Sequence, residues 1–502
     1  MHDFIPDMAA KRAELTPKDI AFTTYESGEQ WSYERVNEAA NNLAHSLKEL
    51  GLAAGDRLGI LTRNNVEFFV TLFACQKAKL VLAPLNWRQP VAELKPVIEG
   101  VGISAIMFDE PSAVAGAQLA KQFGIASIGI NAKAAHSFDD LCKGIGKPIN
   151  AMVDANSVWY LLFTSGTTGV PKAVIQTPKM AWANAINIGQ AIGLTRSDRA
   201  VNYLPLFHTA GINLYTLPVF LNGGHSTIVP QFDADALVAM IGRKEVSKFF
   251  GVPAIYQMLS LRDDFDKIDF EGIKFGCGGA ALAENLIAKY AARSALICNG
   301  FGMTETGPTA FYMDEASVEA KIGSVGKVQS MTNMRLANVP DGQEGTGEIQ
   351  FCGPAITPGY FQDNAATDAA FTLDGWLKSG DVGRRDADGY VYVVDRIKDM
   401  YISGGENVYP AEVEKVLVTH PDILEAAVIG VADEKWGEVG AAFLLPRPDH
   451  NIDTAALTEW CRARLAPYKI SKSFHVVDDF PRTAAGKIRK PDLKEIYLNA
   501  QV

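Results

Sequence analysis

The most constraining feature of the sequence is an apolar segment that leads directly into a loop rich in glycine and hydroxyl groups. Residues 159–163 read WYLLF, which is typical of a buried strand, and TSGTTGVPKA follows at 164–173. Glycines let backbone N–H groups face a polyanion, hydroxyls add donors, and Lys172 supplies a positive charge. The spacing is not the Walker sequence G-x-x-x-x-G-K-[ST], because Lys172 follows Gly169 by three residues. A Ser/Thr/Gly tract is usually a linker, but this position behind a strand favours a phosphate-binding loop.

The composition limits the classes of protein to which such a loop can belong. At roughly 100–200 residues per domain, the length of 502 residues predicts several domains. A hydrophobic fraction of 48% with 21% charged residues is typical of globular proteins. The net charge of −11 gives no global electrostatic case for binding nucleic acid or an anionic membrane. Six isolated cysteines, without C-x-x-C, predict neither a disulfide framework nor a Cys-based zinc site.

The start of the chain and the cysteine usage bear on the compartment. MHDFIPDMAAKRAEL contains no apolar h-region of a secretory signal peptide. Unpaired cysteines are typical of a reducing compartment, so we expect a cytoplasmic protein.

Short apolar segments alternate with helical patterns through about the first 310 residues. Ser32 is expected to N-cap a helix that ends near Gly51. Residues 57–62, 67–78 and 80–85 predict a strand, a helix and a strand. This β–α–β order predicts an α/β fold with a largely parallel sheet.

One long segment, residues 200–232, contains no Asp, Glu, Lys or Arg. Prolines, asparagines and a Gly-Gly pair interrupt it well short of the ~20 continuous apolar residues that a membrane helix requires. We therefore expect no integral membrane segment. The segment predicts a buried helix between loops, in a wall from which charge is excluded.

The pattern changes after about residue 345 to short strands with Gly- and Asp-rich turns, including a hairpin turn predicted at 386–389. A separate α+β unit follows. We therefore expect a large N-terminal domain over 1–395, built of mainly parallel α/β subdomains plus a β-rich subdomain. A hinge at 395–398 would connect it to a small mobile C-terminal α+β domain over 399–502.

The loop at 164–173 resembles the signature loop of the adenylate-forming superfamily, which contains acyl-CoA and aryl-CoA synthetases, luciferases and peptide-synthetase adenylation domains. Further segments resemble that family's motifs in the same order: PLFH (205–208), GFGMTE (300–305), KSGD (378–381), DRIKDMYISGGENVYPAEVE (395–414) and PRTAAGKIRK (481–490). With the family-like N-terminal pattern they cover nearly the whole chain. Ala173 departs from the family, which usually has Gly there.

The resemblance implies two half-reactions. A carboxylate attacks the α-phosphate of ATP to give an acyl-adenylate and pyrophosphate, and the thiol of coenzyme A then displaces AMP. ATP, Mg²⁺, coenzyme A and a small carboxylic acid are the implied cofactors and partners, with no nucleic acid. The residues implied for ATP and AMP are Thr164, Ser165, Gly166, Thr167, Thr168, Gly169, Lys172, Gly278, Gly279, Ala280, Asn299, Gly300, Phe301, Gly302, Met303, Thr304, Asp381, Val393 and Arg396.

Specific roles follow from the same resemblance. Glu305 and Thr164 would help bind Mg²⁺, and Thr304 would contact the α-phosphate. Lys487 would bridge the carboxylate and the α-phosphate during adenylation. His208 would form a gate between the nucleotide site and the acyl tunnel, in a positional role. The implied catalytic set is therefore Lys487, His208, Thr304 and Glu305, while Asp381 and Arg396 would hold the ribose.

The identity of the carboxylic acid is the least constrained prediction. The implied acyl pocket is His208, Thr209, Asn213, Phe250, Gly251, Tyr256, Gly278, Gly300, Met303 and Pro308. This set is largely apolar, and no group anchors an α-amino group. Residues 249–260, 299–308 and 319–328 most resemble bacterial feruloyl/hydroxycinnamoyl-CoA synthetases, with medium-chain fatty acyl-CoA synthetases as the alternative.

The second half-reaction is assigned to the small domain. The residues implied for coenzyme A are Ser403, Gly404, Gly405, Trp436, Lys469 and Lys472. In the family the small domain rotates about the position that matches Lys398. Lys487 would serve the first orientation and the glycine loop the second.

Two other classes of function remain open. A stand-alone adenylation enzyme would load a carrier protein instead of free coenzyme A. A non-catalytic homologue would be expected to lack Lys487, Glu305 or Lys172, and all three are present. The sequence leaves formation of a homodimer open.

Overall fold

The computed structural model describes residues 3–144, 148–149, 152–164, 171–279, 282–404, 406–483 and 486–500. The first part of the chain contains β1 (Phe4–Pro6), α1 (Met8–Leu15), β2 (Ile20–Thr24), β3 (Gln30–Ser32), α2 (Tyr33–Glu49), β4 (Arg57–Leu61), α3 (Val66–Ala78), β5 (Val81–Pro84), α4 (Val91–Val101), β6 (Ile103–Asp109), α5 (Ala113–Phe123), β7 (Ala126–Ile130), β8 (His136–Ser137), α6 (Phe138–Leu141) and β9 (Met152–Asp154).

The central part contains β10 (Tyr160–Thr164), β11 (Lys172–Gln176), α7 (Pro178–Ile192), β12 (Arg199–Asn202), α8 (Thr216–Asn222), β13 (His225–Ile228), α9 (Ala234–Gly242), β14 (Lys248–Gly251), α10 (Pro253–Ser260), β15 (Lys274–Cys277), α11 (Glu284–Ala291), β16 (Ile297–Phe301), β17 (Phe311–Tyr312) and β18 (Lys327–Val328). The β-rich part contains β19 (Asn333–Leu336), β20 (Gly345–Cys352), α12 (Asn364–Ala370), β21 (Leu377–Arg385) and β22 (Val391–Arg396). The last part contains β23 (Tyr401–Ser403), β24 (Glu406–Val408), α13 (Pro410–Leu417), β25 (Ile423–Asp433), β26 (Gly437–Pro446), α14 (Thr454–Arg462), β27 (Ser473–Val476) and α15 (Lys490–Asn499).

Two mainly parallel sheets form the body of the large domain. One has the strand order β11-β10-β5-β4-β6-β7-β8, and only its edge pair β10–β11 is antiparallel. The other has the order β18-β17-β16-β15-β14-β12-β13-β2-β3 and is parallel from β16 to β2. Ligands of open parallel sheets bind outside the carboxyl ends of the strands. The motifs after β10, β15 and β16 lie at such ends.

Besides the two-stranded sheet of β1 and β9, two further sheets separate the chain into its β-rich and C-terminal parts. Strands β19-β20-β21-β22 form an antiparallel sheet. The C-terminal sheet has the order β24-β23-β26-β25, and β27 pairs in parallel with β26. Helices packed on this sheet make the C-terminal unit a small α+β domain, as predicted.

The apolar packing respects the same division. Four clusters of buried apolar side chains lie entirely before residue 394, and two lie entirely within residues 401–497. Among the described residues, none of these six clusters draws on both sides of the 395–398 segment. The small domain therefore has a hydrophobic core of its own and does not share one with the large domain.

Local predictions for the N-terminal part are confirmed. The side chain of Ser32 accepts a hydrogen bond from the backbone N–H of Arg35 at 3.1 Å, which caps α2. Gly51 follows the end of α2 with φ of +92°, a left-handed conformation that glycine adopts at low cost. The hairpin turn at 386–389 is also present, closed by the Gly389 N–H on the Asp386 carbonyl at 3.0 Å.

The prediction for residues 200–232 needs correction. Instead of one helix between loops, the segment contains the last three residues of β12 and all of β13, with a π-helical turn at Ala210–Leu214 followed by α8. The charge-free composition reflects burial in the sheet as well as in the helix. No helix in the described part of the chain is long and apolar enough to cross a membrane.

Candidate active site

The predicted phosphate-binding loop connects an antiparallel hairpin. Thr164 ends β10, Lys172 begins β11, and the two residues are directly paired in register. Ser165, Gly166, Thr167, Thr168 and Gly169 lie outside the described residues, so their predicted phosphate contacts stay predictions. What the structure fixes is the base of the loop, with a hydroxyl and an ammonium group at its two ends.

Tyr360 connects the lysine of this hairpin to the predicted metal-binding carboxylate. The Lys172 Nζ lies 4.8 Å from the centre of the Tyr360 ring, and the Tyr360 hydroxyl donates to Glu305 Oε1 at 3.0 Å. Burial and the neighbouring Glu305 carboxylate raise the pKa of Tyr360, so the phenol stays protonated and acts as the donor. Sequence analysis did not single out Tyr360.

The reason Tyr360 lies there is a backbone contact between distant segments. Residues 359–361 run beside β11, where the Ile175 N–H donates to the Gly359 carbonyl at 3.1 Å and the Phe361 N–H to the Ala173 carbonyl at 2.8 Å. The sequence feature that could have identified this tyrosine is the Gly-Tyr pair that follows β20. Its meaning depends on this long-range pairing, which sequence spacing does not reveal.

The GFGMTE segment is held by close backbone packing. A Cβ atom on Gly302 would coincide with the carbonyl oxygen of Pro308, so only glycine fits. The single helical turn Thr304–Thr306 follows, and the Gln176 Nε2 donates to the Thr304 carbonyl at 2.9 Å. These contacts place Thr304 and the buried Glu305 beside the hairpin of β10 and β11, and their contacts with phosphate and Mg²⁺ stay predictions.

The donor set fits magnesium only in partnership with a phosphate ligand. Among the described residues there is no group of three or more His, Cys, Asp or Glu side chains that could hold a metal ion. Mg²⁺ typically binds one or two carboxylates together with substrate phosphates and water. A single carboxylate at Glu305 and the hydroxyl of Thr164 are consistent with that mode of binding.

Asp381 and Arg396 form the predicted ribose-binding side. The Arg396 Nε lies 3.4 Å from Asp381 Oδ1, and Asp381 is 4% exposed whereas Arg396 is on the surface. The pairing follows from register, because Asp381 on β21 lies opposite Arg396 on β22. Burial raises the pKa of Asp381, against the opposing charges of Arg396 and Lys487.

The glycines of the predicted nucleotide set that follow β15 lie beside aromatic side chains. Gly278 is buried and Gly279 has φ of +87°, while Ala280 lies outside the described residues. On the adjoining strand, Phe301 packs on Phe311 with ring centroids 6.1 Å apart. Met303 and Val393 join that apolar cluster, so these side chains act first as packing.

Asn299, also in the predicted nucleotide set, differs from these apolar residues. Its Nδ2 donates to the Ser324 carbonyl at 3.4 Å, whereas its Oδ1 is buried and has no hydrogen-bond partner among the described residues. A buried acceptor without a donor is costly, so this oxygen is suited to a donor from a ligand or water.

Lys487 lies on a tight turn of the small domain and reaches the site of the large domain. The Thr483 N–H donates to the Lys487 carbonyl at 2.7 Å, and the Lys487 N–H donates to the Thr483 hydroxyl at 3.1 Å. Burial and the charge of Arg396 lower the pKa of Lys487, while Asp381 and Glu305 raise it. The ammonium therefore shares its surroundings with residues of both the ribose and the metal sides.

His208 occupies the predicted gate position as a neutral imidazole. Burial, followed by the charges of Arg88 and Lys487, lowers the pKa of His208 to about 4. Its Nε2 is buried with no hydrogen-bond partner in the described part of the chain. The ring packs on Phe207 at 4.7 Å. A neutral ring supports the predicted positional role rather than acid–base chemistry.

The predicted acyl-pocket residues divide into a surface layer and a supporting layer. Phe250, Gly278 and Gly300 meet at one face, since a Cβ on Gly278 would lie 3.0 Å from the Gly300 carbonyl oxygen and 3.1 Å from Phe250 Cζ. Tyr256 lies behind this face, fully buried under Gly251, and its hydroxyl donates to the Gly276 carbonyl at 2.7 Å.

Thr209 and Asn213 belong to the π-helical turn that follows the gate histidine. The Asn213 Nδ2 donates to the Thr209 hydroxyl at 3.1 Å, and its Oδ1 accepts from the Tyr160 hydroxyl at 2.7 Å. The Asn213 carbonyl also accepts from Asn184. Asn213 is thus occupied by protein groups and fixes the turn, while Thr209 stays half-buried. Single π-helical turns are frequent at functional sites.

The segments predicted for coenzyme A lie together on one edge of the small-domain sheet. The Gly404 N–H donates to the Trp436 carbonyl at 2.8 Å, Gly404 has φ of +61°, and the Trp436 side chain is 47% exposed. Ser403 is buried in β23, and Gly405 lies outside the described residues.

The two lysines predicted for coenzyme A are paired within the small domain. The Lys469 Nζ lies 2.6 Å from Glu412 Oε1, and Lys472 forms an ion pair with Asp433. In this orientation neither ammonium group is free for a phosphate. Their predicted role would require these pairs to open or to be shared with the ligand.

The segment between the domains crosses the boundary by polar contacts. Lys398 lies exposed in the turn that follows β22. Asp395, before it, accepts from the Ala411 N–H at the start of α13 through Oδ2 at 2.7 Å. Lys415 of α13 pairs with Glu284 of α11 at 2.6 Å. Rotation about Lys398 would have to break both contacts.

A nucleotide-like site at parallel-strand ends, with a lysine on a small C-terminal domain, is the arrangement expected of an adenylate-forming enzyme. The family model described as AMP-binding enzyme matches residues 9–361, and that of the AMP-binding enzyme C-terminal domain matches residues 412–487. The chain belongs to this family and is an AMP-forming acid–thiol ligase, which confirms the family and the enzyme class inferred from the motifs.

Individual relatives cover nearly the whole chain. A feruloyl-CoA synthase of Amycolatopsis sp. is 36% identical over 97% of this chain and 98% of its own. A long-chain-fatty-acid–CoA ligase of Mycobacterium tuberculosis is 32% identical over 98% of both chains. The structure is similar to that of o-succinylbenzoate coenzyme A synthetase from Bacillus subtilis in complex with ATP and magnesium ion, with a TM-score of 0.86 and 29% identity over 98% of this chain and 100% of that one.

Proposed function

We propose that the protein is an ATP-dependent carboxylate–CoA ligase whose acid is a hydroxycinnamate such as ferulate. The ligase assignment is supported by the charges of Asp381 and Glu305, which both raise the pKa of Lys487 and so relate the small-domain lysine to the ribose side and the metal side of the large domain. The substrates are ATP with Mg²⁺, the carboxylic acid and coenzyme A.

Adenylation requires two anions, the carboxylate and the triphosphate, to approach each other. The Lys487 ammonium would stand between them and stabilise the charge that develops on the α-phosphate. Lys172 would hold the outer phosphates from the hairpin of β10 and β11, where its position is fixed by pairing with Thr164. When bound, Mg²⁺ would neutralise charge on the phosphate oxygens beside Glu305.

The ribose and the gate would orient the reactants. Asp381 would accept hydrogen bonds from the ribose hydroxyls. Because Asp381 is buried, leaving its carboxylate without one of these hydrogen bonds would be costly. The neutral imidazole of His208 adds no charge at the entrance of the acyl pocket, so the apolar acid can pass and only its carboxylate enters the cationic region.

Thioester formation would follow rotation of the small domain. Removing Lys487 from the site would make room for the loop at Ser403 and Gly404, and the thiol of coenzyme A would attack the acyl carbon, releasing AMP. In the part of the chain that the structure describes, no cluster of buried apolar side chains spans the boundary, which supports this step.

The apolar and aromatic lining of the acyl pocket supports the aromatic acid. Phe250, which packs over Gly278 beside the Gly300 carbonyl, offers an aromatic side chain that matches an aromatic ring. The similarity to a feruloyl-CoA synthase points the same way. A fatty acid is the second candidate, favoured by the similarity to a long-chain-fatty-acid–CoA ligase and by the charge-free wall at 200–232.

The test is AMP release with a panel of acids, each with and without free coenzyme A. Ferulate and coumarate should show higher kcat/KM than octanoate, acetate or any amino acid, with thioester formed only when coenzyme A is present. If octanoate exceeds every hydroxycinnamate, the fatty acid is the substrate class. AMP formation without any transfer to free coenzyme A would instead identify a carrier-loading enzyme.

A further inference from the structure

Two tyrosine hydroxyl groups meet at the deep end of the predicted acyl pocket. The Tyr215 and Tyr312 hydroxyls are 3.0 Å apart, and each tyrosine is only 5% exposed. Both oxygens point at the backbone of Gly276, where a Cβ atom would lie 2.5 Å from Tyr215 Oη and 2.6 Å from Tyr312 Oη. Sequence analysis included neither tyrosine in the pocket.

The position of Gly276 places this pair along the axis of the pocket. Gly276 lies on β15 two residues before Gly278, so both face the same side of the sheet. At about 3.3 Å per residue, the hydroxyl pair lies roughly 6–7 Å deeper than Gly278, away from the nucleotide-binding end of the strand. The Phe250 ring covers the interval, approaching the Cβ positions of both glycines.

One of the two O–H groups of the Tyr215–Tyr312 pair has no hydrogen-bond acceptor among the described residues. Burial raises the pKa of both tyrosines, so both hydroxyls are protonated. The bond between them uses one hydrogen, and no other hydrogen-bond partner of either hydroxyl exists among the described residues. A buried donor without an acceptor is unfavourable, so a ligand oxygen at this point would be favoured over a methyl group.

We propose that Tyr215 and Tyr312 are specificity-determining residues that bind a hydroxyl group on the far end of an aromatic acid. The phenolic oxygen of the substrate accepts the spare tyrosine hydrogen, and its own hydrogen is donated to the other tyrosine. The aromatic ring reaches the pair along the Phe250 side chain, which itself packs over Gly276 and Gly278. This inference rests on the proposed function. It narrows the substrate class to aromatic acids with a hydroxyl group at the end of the ring opposite the side chain that bears the carboxylate.

The alternative is that the two tyrosines only pack. Tyr215 also contacts Phe250 edge-on, with ring centroids 5.6 Å apart, and Tyr→Phe substitutions would keep that contact. Removing only the hydroxyls therefore separates recognition from packing. Tyr203 offers a matched control, because its buried hydroxyl donates to the Phe250 carbonyl at 2.8 Å from a different direction and does not face Gly276.

The experiment compares 4-coumarate with cinnamate, which differ only in the phenolic hydroxyl, in wild type, Tyr215→Phe, Tyr312→Phe, the double variant and Tyr203→Phe. We expect wild type to prefer coumarate in kcat/KM by on the order of 10-fold or more, because a site that binds a hydroxyl rejects the analogue lacking it. Each single variant should lower this ratio, and the double variant should bring it to about one. Tyr203→Phe should leave the ratio at its wild-type value.

Three outcomes overturn the inference. Wild type could show no preference between the two acids, the double variant could keep the preference, or Tyr203→Phe could reduce it as much as the pair does. Octanoate is included to separate this failure from that of the proposed function. If the enzyme turns over octanoate but neither aromatic acid, both the proposed function and the role of the tyrosine pair are rejected. If it turns over the aromatic acids and the variants leave the coumarate-to-cinnamate ratio unchanged, only the role of the tyrosine pair is rejected.

Discussion

The large and small domains contribute to the same site by different physical means. In the large domain, many site residues lie in or just after strands, and tight backbone packing fixes the turn at Gly302 beside Pro308. In the small domain, Lys487 is held within its own turn, but its place in the site depends on polar contacts such as Asp395 to Ala411. We therefore expect the half of the site from the small domain to be removable, so that one site can serve two reactions.

Loss of Lys487 should give the largest effect and should fall on one half-reaction only. Lys487→Ala is expected to reduce acyl-adenylate formation from ATP on the order of 100-fold or more, as for loss of a charge that stabilises a transition state. Conversion of supplied adenylate and coenzyme A to thioester should persist. Single-turnover assays of each half-reaction measure the two effects, and equal loss in both would contradict the division between the domains.

The comparison becomes sharper at the hinge. Lys398→Pro fixes φ near −65° and should restrict rotation, whereas Lys398→Ala should have a much smaller effect because the exposed side chain contacts no substrate. If the fixed orientation is the adenylating one, pyrophosphate exchange should survive while thioester formation from pre-made adenylate falls about 10-fold or more. Should proline impair neither half more than alanine does, the pivot lies elsewhere.

A pH experiment tests how rigidly the large domain buries its gate. Because burial lowers the pKa of His208 from 6.5 to about 4, the unfolded chain binds more protons between these values. The free energy of unfolding should therefore fall as pH drops from 6.5 to 4, by at most ~1.4 kcal/mol per pH unit from this residue. His208→Asn should flatten that dependence in urea unfolding curves. An unchanged slope would mean that His208 is accessible to protons in the native state.

The smallest expected effect concerns the polar contact across the boundary. Asp395→Asn keeps the shape of the side chain but removes the charge that favours the Ala411 N–H, so adenylation should slow severalfold relative to thioester formation. Lys415→Ala, which removes an exposed pair with Glu284, is the control and should change either rate by less than about threefold. A larger effect from Lys415 would assign the docking to the surface pair.

Local order explains which features the sequence could predict. Ser32, the turn at 386–389 and the alternation of strands and helices depend on neighbouring residues, and the motifs carry their own spacing. Tyr360 could not be placed in this way because its partners Lys172 and Glu305 are distant in sequence and meet only through the pairing of residues 359–361 with β11.

The same limit explains the acyl pocket. Phe250, Gly278 and Gly300 come from motif segments, so the resemblance reached them. Tyr215 and Tyr312 come from the start of α8 and from β17, and their hydroxyls meet only because the second sheet brings both to Gly276. The prediction of a single helix within residues 200–232 is wrong because a charge-free segment indicates burial but does not distinguish a helix from a strand.

The separate cores on the two sides of residues 395–398 make this protein suitable for recombination between relatives. A crossover in the exposed turn at Lys398 would transfer both apolar clusters of the small domain intact and divide none of the four in the large domain. Each domain of a hybrid would therefore keep its own hydrophobic core. The charged contacts between the two domains would have to be made compatible. The acid specificity would travel with the N-terminal parent, and the thiol-side loop with the C-terminal one.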